Sequence, residues 1–161
     1  MNRRAICSRQ LHRSKTVLMR ALLAPLLLAY ASAGHAALGG APEQFDAPTR
    51  VSSVSSTAAS YVIRDTTLAT GTQVREYVSD AGLVFALSWN GPMLPNLKAL
   101  LGKHFDAMVA ESARTPRAGR AQLAVNEPEV VIHSGGHMRA FEGSAWIPAL
   151  LPAGFTADDV R

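Results

Sequence analysis

The sharpest alternation of apolar and polar positions runs from Gln73 to Trp89, "QVREYVSDAGLVFALSW", where two alternating runs flank Asp80-Ala81-Gly82. A three-residue loop ending in a left-handed glycine joins such runs into a hairpin. This register sets Tyr77 opposite Phe85 and Val78 opposite Val84, and it gathers Leu83, Phe85, Leu87 and Trp89 on one core face with Tyr77. Upstream, "YVIRDTTLA" from Tyr61 is β-branched enough for a strand, and "TGTQ" turns the chain after it. Downstream, Asn90-Gly91-Pro92 stops the strand and Pro95-Asn96 opens a helix. There Leu94, Leu97, Leu101, Phe105 and Met108 recur at three- and four-residue steps, the stripe of an amphipathic helix lying on a sheet.

Glu111 to Pro128 reads as a polar connection, and its arginines Arg114, Arg117 and Arg120 as a solvated loop. A second hairpin follows, from Glu129 to Ser134 and from His137 to Trp146. In the last segment Pro148 and Pro152 forbid a central strand or a long helix, which leaves its apolar residues to cover the core edge. The expected fold class is therefore α+β: an antiparallel sheet of about five strands, ordered strand, hairpin, helix, hairpin, with one amphipathic helix packed on it.

The beginning of the chain changes the charge balance. Arg3, Arg4, Arg9, Arg13, Lys15 and Arg20 precede an apolar run from Ala21 to Ala33, and small residues follow to Ala36. A basic start, a short apolar centre and a small-x-small exit predict a signal peptide over 1–36, cleaved after Ala33 or Ala36. The whole chain carries a formal charge of +4, but those six basic residues all lie in the leader. Without it, ten Lys plus Arg stand against twelve Asp plus Glu. A nucleic-acid partner is thereby excluded, and the membrane is met only during export. Cys7, the single cysteine, also lies in the leader, which excludes disulfides and thiolate chemistry from the rest. Residues 37–60, rich in Ala, Ser, Pro and Gly, are expected to be a flexible tether, and residues 61–161 a single domain.

Candidate chemistry centres on "VVIHSGGHMRAF", Val130 to Phe141. A three-residue Ser134-Gly135-Gly136 loop separates Val130, Ile132, Met138 and Ala140 from His133, His137 and Arg139 more cleanly than a two-residue turn does. It also makes the two histidines cross-strand neighbours, about 5 Å apart at Cβ. Two imidazoles are too few for zinc, and His104, Glu129 and Glu142 are the candidates for a third donor. No metal and no cofactor is therefore expected, with His133 and His137 as weak metal candidates. Ser134, His137 and Asp106 or Glu142 lack the strained elbow that presents a nucleophilic serine. Trp89 and Trp146 read as core and rim.

Several uncommon strings then gain meaning together: "ALGGAP", "VREYVSDAGLVFALSWNGPMLPNL", "LLGKHF" and "SGGHMRAFEGSAWIPALLPAGF". They resemble a proteobacterial family of exported proteins known only as domain of unknown function 2844. The resemblance implies an envelope-associated bacterial protein and assigns no catalytic residues. The expected function is a non-catalytic periplasmic or secreted binding module of the cell envelope, its partner an unknown envelope protein or ligand. The expected binding surface is the hairpin tip: His133, Ser134, Gly135, Gly136, His137 and Arg139. The alternatives are a small hydrolase or metal-dependent enzyme using His133 and His137, and a pH-responsive adaptor.

Overall fold

The computed structural model describes residues 38–46, 48–55, 60–114 and 122–160. Seven strands form one antiparallel sheet: β1 (Arg50–Ser55), β2 (Tyr61–Thr67), β3 (Gln73–Ser79), β4 (Val84–Gly91), β5 (Leu123–Asn126), β6 (Val131–His137) and β7 (Ala140–Trp146). Their order across the sheet is β1-β2-β3-β4-β7-β6-β5. The first four strands run as a meander. The chain then crosses through two helices and returns as a second meander, whose last strand docks beside β4. The fold is α+β, with seven strands in place of the expected five.

Asn96 opens α1 (Leu97–Leu101), its side chain accepting from the Ala99 N–H at 3.2 Å. Gly102 ends that helix, and a 3-10 turn, Gly102–His104, leads into α2 (Phe105–Arg114). The expected single helix is thus broken in two. Leu97, Leu100 and Leu101 are buried, but Leu94 lies before the cap and remains 48 % exposed. Both helices contribute to a core with Val74, Val84, Leu87, Trp89, Ile132 and Ala145 on one face of the sheet.

On the opposite face, Tyr77, Phe85, Ala86 and Trp146 pack against Phe155 and Val160 from the C-terminal segment. Tyr77 Oη donates to the Asp159 carbonyl at 2.8 Å, pinning that segment in place. A bulge in β4 decides how that strand divides its apolar residues between the two cores. Val78 pairs with Val84, but Tyr77 pairs with Ala86, which leaves Phe85 as the extra residue. Phe85 and Ala86 therefore share one face, and Val84, Leu87 and Trp89 the other. The expected pairing of Tyr77 with Phe85 and the single face for Phe85, Leu87 and Trp89 are corrected accordingly. The loop expectation holds, with Gly82 at a φ of 77°.

Three further expectations are corrected. The segment expected to be a tether is structured where it is described. Leu38 is 2 % exposed and its N–H donates to the Leu100 carbonyl, while Gly39 and Gly40 exchange hydrogen bonds with Val84. β1 then pairs along its whole length with β2. The low complexity of the segment hid two apolar contacts with the core, Leu38 and the partly buried Phe45, and a set of small residues suited to an edge strand. The polar connection conceals the end of α2 and all of β5, whose Leu123 and Val125 face the core. Residues 115–121, with Arg117 and Arg120, lie outside the described residues, as does the expected leader over 1–36.

The third correction concerns the second hairpin. Its turn is Met138-Arg139, and His137 pairs with Ala140. Gly135 and Gly136 lie within β6, opposite Glu142 and Phe141. Gly136 has a φ of 118°, and a Cβ there would strike the Ala140 carbonyl oxygen and the Phe141 backbone. The glycines allow close approach between strands instead of a reversal. Met138, counted as apolar pattern, is 87 % exposed.

Candidate functional site

Because side chains alternate across a strand, every second residue of neighbouring strands lines up in rungs across one face. On the face away from the helices the first rung is apolar: Ile63, Tyr77, Ala86, Trp146 and Val131. The second reads Asp65, Arg75, Ser88, Ser144, His133 and Ala124. The third reads Thr67, Gln73, Asn90, Glu142 and Gly135, with the Gln122 side chain lying against Gly135.

As far as it is described, to Val160, the C-terminal segment covers the apolar rung. The second and third rungs form an open trough of about 600 Å³, with Val160 at its covered end. Neighbouring strands lie about 4.8 Å apart, so Asp65 and His133, four strands apart, are separated by about 19 Å. Within the trough Arg75 grips Asp65 through two bonds, Nε to Oδ1 at 2.6 Å and Nη2 to Oδ2 at 3.1 Å. That carboxylate raises the pKa of the Arg75 guanidinium. Both side chains are about two-fifths exposed, so the pair contributes little stability, roughly 0.2–1 kcal/mol. It leaves the charge of that end balanced. The His133 ring stands edge-on to Trp146, with centroids 5.2 Å apart, on the border between apolar and polar rungs.

A smaller hollow of about 320 Å³ continues beyond the third rung. Gln73, Asn90 and Glu142 line both spaces, and Arg139 stands at the far end. Arg139 occupies the second position of its turn with a φ of 67°, a conformation that glycine takes freely and other residues take at a cost.

The six residues expected at a hairpin tip therefore part company. His133 and Gly135 face the trough. Ser134 borders it, paired with Gly143, and alternation turns its side chain toward the helices. Gly136 and His137 line neither space, and His137 Nδ1 lies 3.2 Å from the Met138 carbonyl. Arg139 lines the smaller hollow only. His133 and His137 are not cross-strand neighbours. They lie on one strand four residues apart, a distance of about 13 Å, because the chain reverses after His137 and not between the two.

Of the third donors considered for them, Glu142 shares the trough with His133, but His137 does not line it. His104 is buried on the helix side with Nε2 unbonded, and burial, then Lys103, lowers its pKa while Glu129 and Glu127 oppose the shift. Among the described residues no three His, Asp or Glu side chains gather as a metal-holding group. Ser134 and His137 sit on different rungs, so no serine–histidine relay forms there. Glu76 and Glu142 point to opposite faces. Glu76 is buried with the helices, accepting from the Glu43 N–H at 2.8 Å and lying 3.6 Å from Arg64.

Most of the trough escaped the sequence reading: Asp65, Gln73, Arg75, Ser88, Asn90, Gln122 and Ser144. A signal for them exists. Five strands carry a polar or bare pair at alternate positions: Asp65/Thr67, Gln73/Arg75, Ser88/Asn90, Glu142/Ser144 and His133/Gly135. Only the register brings these pairs to one end of one face.

The geometry defines a class: an α+β protein whose antiparallel sheet is covered on one face by helices and half open on the other. The family model "Protein of unknown function (DUF2844)" matches residues 34–160, and the chain belongs to that family. The match includes the N-terminal segment that packs into the core. No curated protein and no solved structure matches the chain. Among the described residues no helix is long and apolar enough to cross a membrane.

Proposed function

We propose that the protein is a non-catalytic binding module that acts in the bacterial cell envelope after export, in the periplasm or outside the cell. One observation carries the binding reading. Two adjacent rungs of polar side chains, drawn from strands far apart in sequence, lie on the half of the face that the C-terminal segment leaves uncovered. Five strands thereby deliver amides, hydroxyls and carboxylates to one hollow. The leader pattern over 1–36 supports the location, and the thiol-free remainder suits it. An enzymatic use of His133 and His137 has no geometric support, since the two rings share neither a rung nor a hollow.

The test is crosslinking in living cells from a photoreactive residue at Gln73, on the trough floor, compared with one at exposed Lys98 on α1. The reading expects an adduct specific to Gln73. Identical adducts from both positions, or adducts from Lys98 alone, would remove the trough as the binding surface.

A further inference from the structure

Resting on that binding reading, we propose that the trough takes a neutral oligosaccharide laid across the strands. The donor and acceptor inventory is the first ground. Gln73, Asn90 and Gln122 each offer an amide that both donates and accepts, Ser144 offers a hydroxyl with buried Ser88 beside it in the floor, and exposed Glu142 offers two acceptor oxygens. A sugar hydroxyl is itself both donor and acceptor, and successive hydroxyls along a glycan need successive groups of this mixed kind. Strand spacing sets the rungs' side chains about 4.8 Å apart, a regular row matched to a repeating ligand.

Charge is the second ground. Among the described residues Arg75 is the one guanidinium on the trough floor, the Asp65 carboxylate engages it through two bonds, and the third rung contributes Glu142. Phosphate-bearing ligands need cations or converging backbone N–H groups, and this surface supplies neither in excess. The third ground is the backbone. Across the floor the main-chain groups are committed to ladder bonds between neighbouring strands, so an extended peptide gains no main-chain pairing from this face. The fourth is the exposed His133 ring, held against Trp146 at the apolar border, where the C–H face of a sugar would rest.

The experiment titrates the protein, purified as the cell processes it, with two series of neutral oligosaccharides, one of glucose and one of N-acetylglucosamine. Amide chemical shifts are followed. One series is expected to bind, tightening from the monosaccharide upward and then levelling once the span of about 19 Å is filled. Asn90→Ala and the isosteric Glu142→Gln are each expected to weaken binding about fivefold, the loss of one net hydrogen bond, while Lys98→Ala leaves it unchanged. The proposal is overturned if neither series binds at millimolar concentration. It is also overturned if binding is independent of length, or if folded Asn90→Ala and Glu142→Gln proteins bind as the wild type does. If the sugars fail while the Gln73 crosslink still captures a partner, the ligand class falls and the binding reading stands. A silent Gln73 crosslink removes the reading itself.

Discussion

Leu38→Ala separates a tether from a structural strap. Leu38 is 2 % exposed and packs with the apolar side chains beneath the helices, and its backbone bond to Leu100 survives the substitution. The change therefore isolates the side chain. Removing a buried leucine costs the transfer of the lost carbons plus the cavity left behind, about 3 kcal/mol within a range of roughly 2.7–5. At a urea slope of about 2 kcal/mol per molar, the unfolding midpoint should fall by about 1.5 M. The melting temperature should drop by about 10 °C. Leu94 supplies the contrast. It belongs by sequence to the helical stripe expected to be core yet is 48 % exposed, so Leu94→Ala should stay within about 0.5 kcal/mol of the wild type. The assay is paired urea denaturation followed by far-ultraviolet circular dichroism. A Leu38→Ala midpoint indistinguishable from that of Leu94→Ala would refute the strap and return this segment to a tether.

Other substitutions test separate features. Arg139→Gly should raise stability by about 1 kcal/mol in the same assay, by relieving a left-handed residue at φ 67°, and a loss would contradict the strained turn. Gly143→Ala should destabilise by about 1–3 kcal/mol or more, because its Cβ would strike the Trp89 ring and the His133 carbonyl, and near-ultraviolet dichroism of the indole should change. Burial raises the Glu76 pKa above the ordinary glutamate value, opposed by the Glu43 N–H and Arg64. The folded state therefore holds that proton more tightly than the unfolded chain. This stabilising contribution is whole below the unfolded value and is lost as pH rises through the folded one. The melting temperature of the wild type relative to Glu76→Gln should accordingly fall as pH rises above the ordinary glutamate value, and a gap that is constant or grows in favour of the wild type would reverse the sign.

Local chemistry in the sequence was enough to place β2, the Asp80-Ala81-Gly82 loop, the Asn96 cap and the helical Leu97 and Leu101. Each of these is decided within a few residues of itself. What stayed hidden depends on partners far along the chain. Leu38 is one leucine in a bland segment until α1 lies over it, and β5 is four residues whose alternation is too short to stand out. Gly135 and Gly136 carry the chemistry of a turn and serve as close contacts between strands, which moved the reversal to Met138-Arg139 and drew His133 away from His137. The trough is the extreme case. Asp65, Arg75, Ser88, Ser144 and His133 belong to five strands, and nothing nearer than the full register of the sheet makes them neighbours.

The extra residue in β4 also governs how this chain can change length. Phe85 and Ala86 share a face, so a strand shortened by one position at Phe85 alternates regularly: Leu87 and Trp89 stay under the helices, and Ser88 and Asn90 stay in the open hollow. Loss of Ser88, where the ladder holds no spare residue, would instead swing Trp89 into the hollow and Asn90 under the helices. The bulge at Phe85 is the one place in this strand where a deletion spares the parity of all that follows.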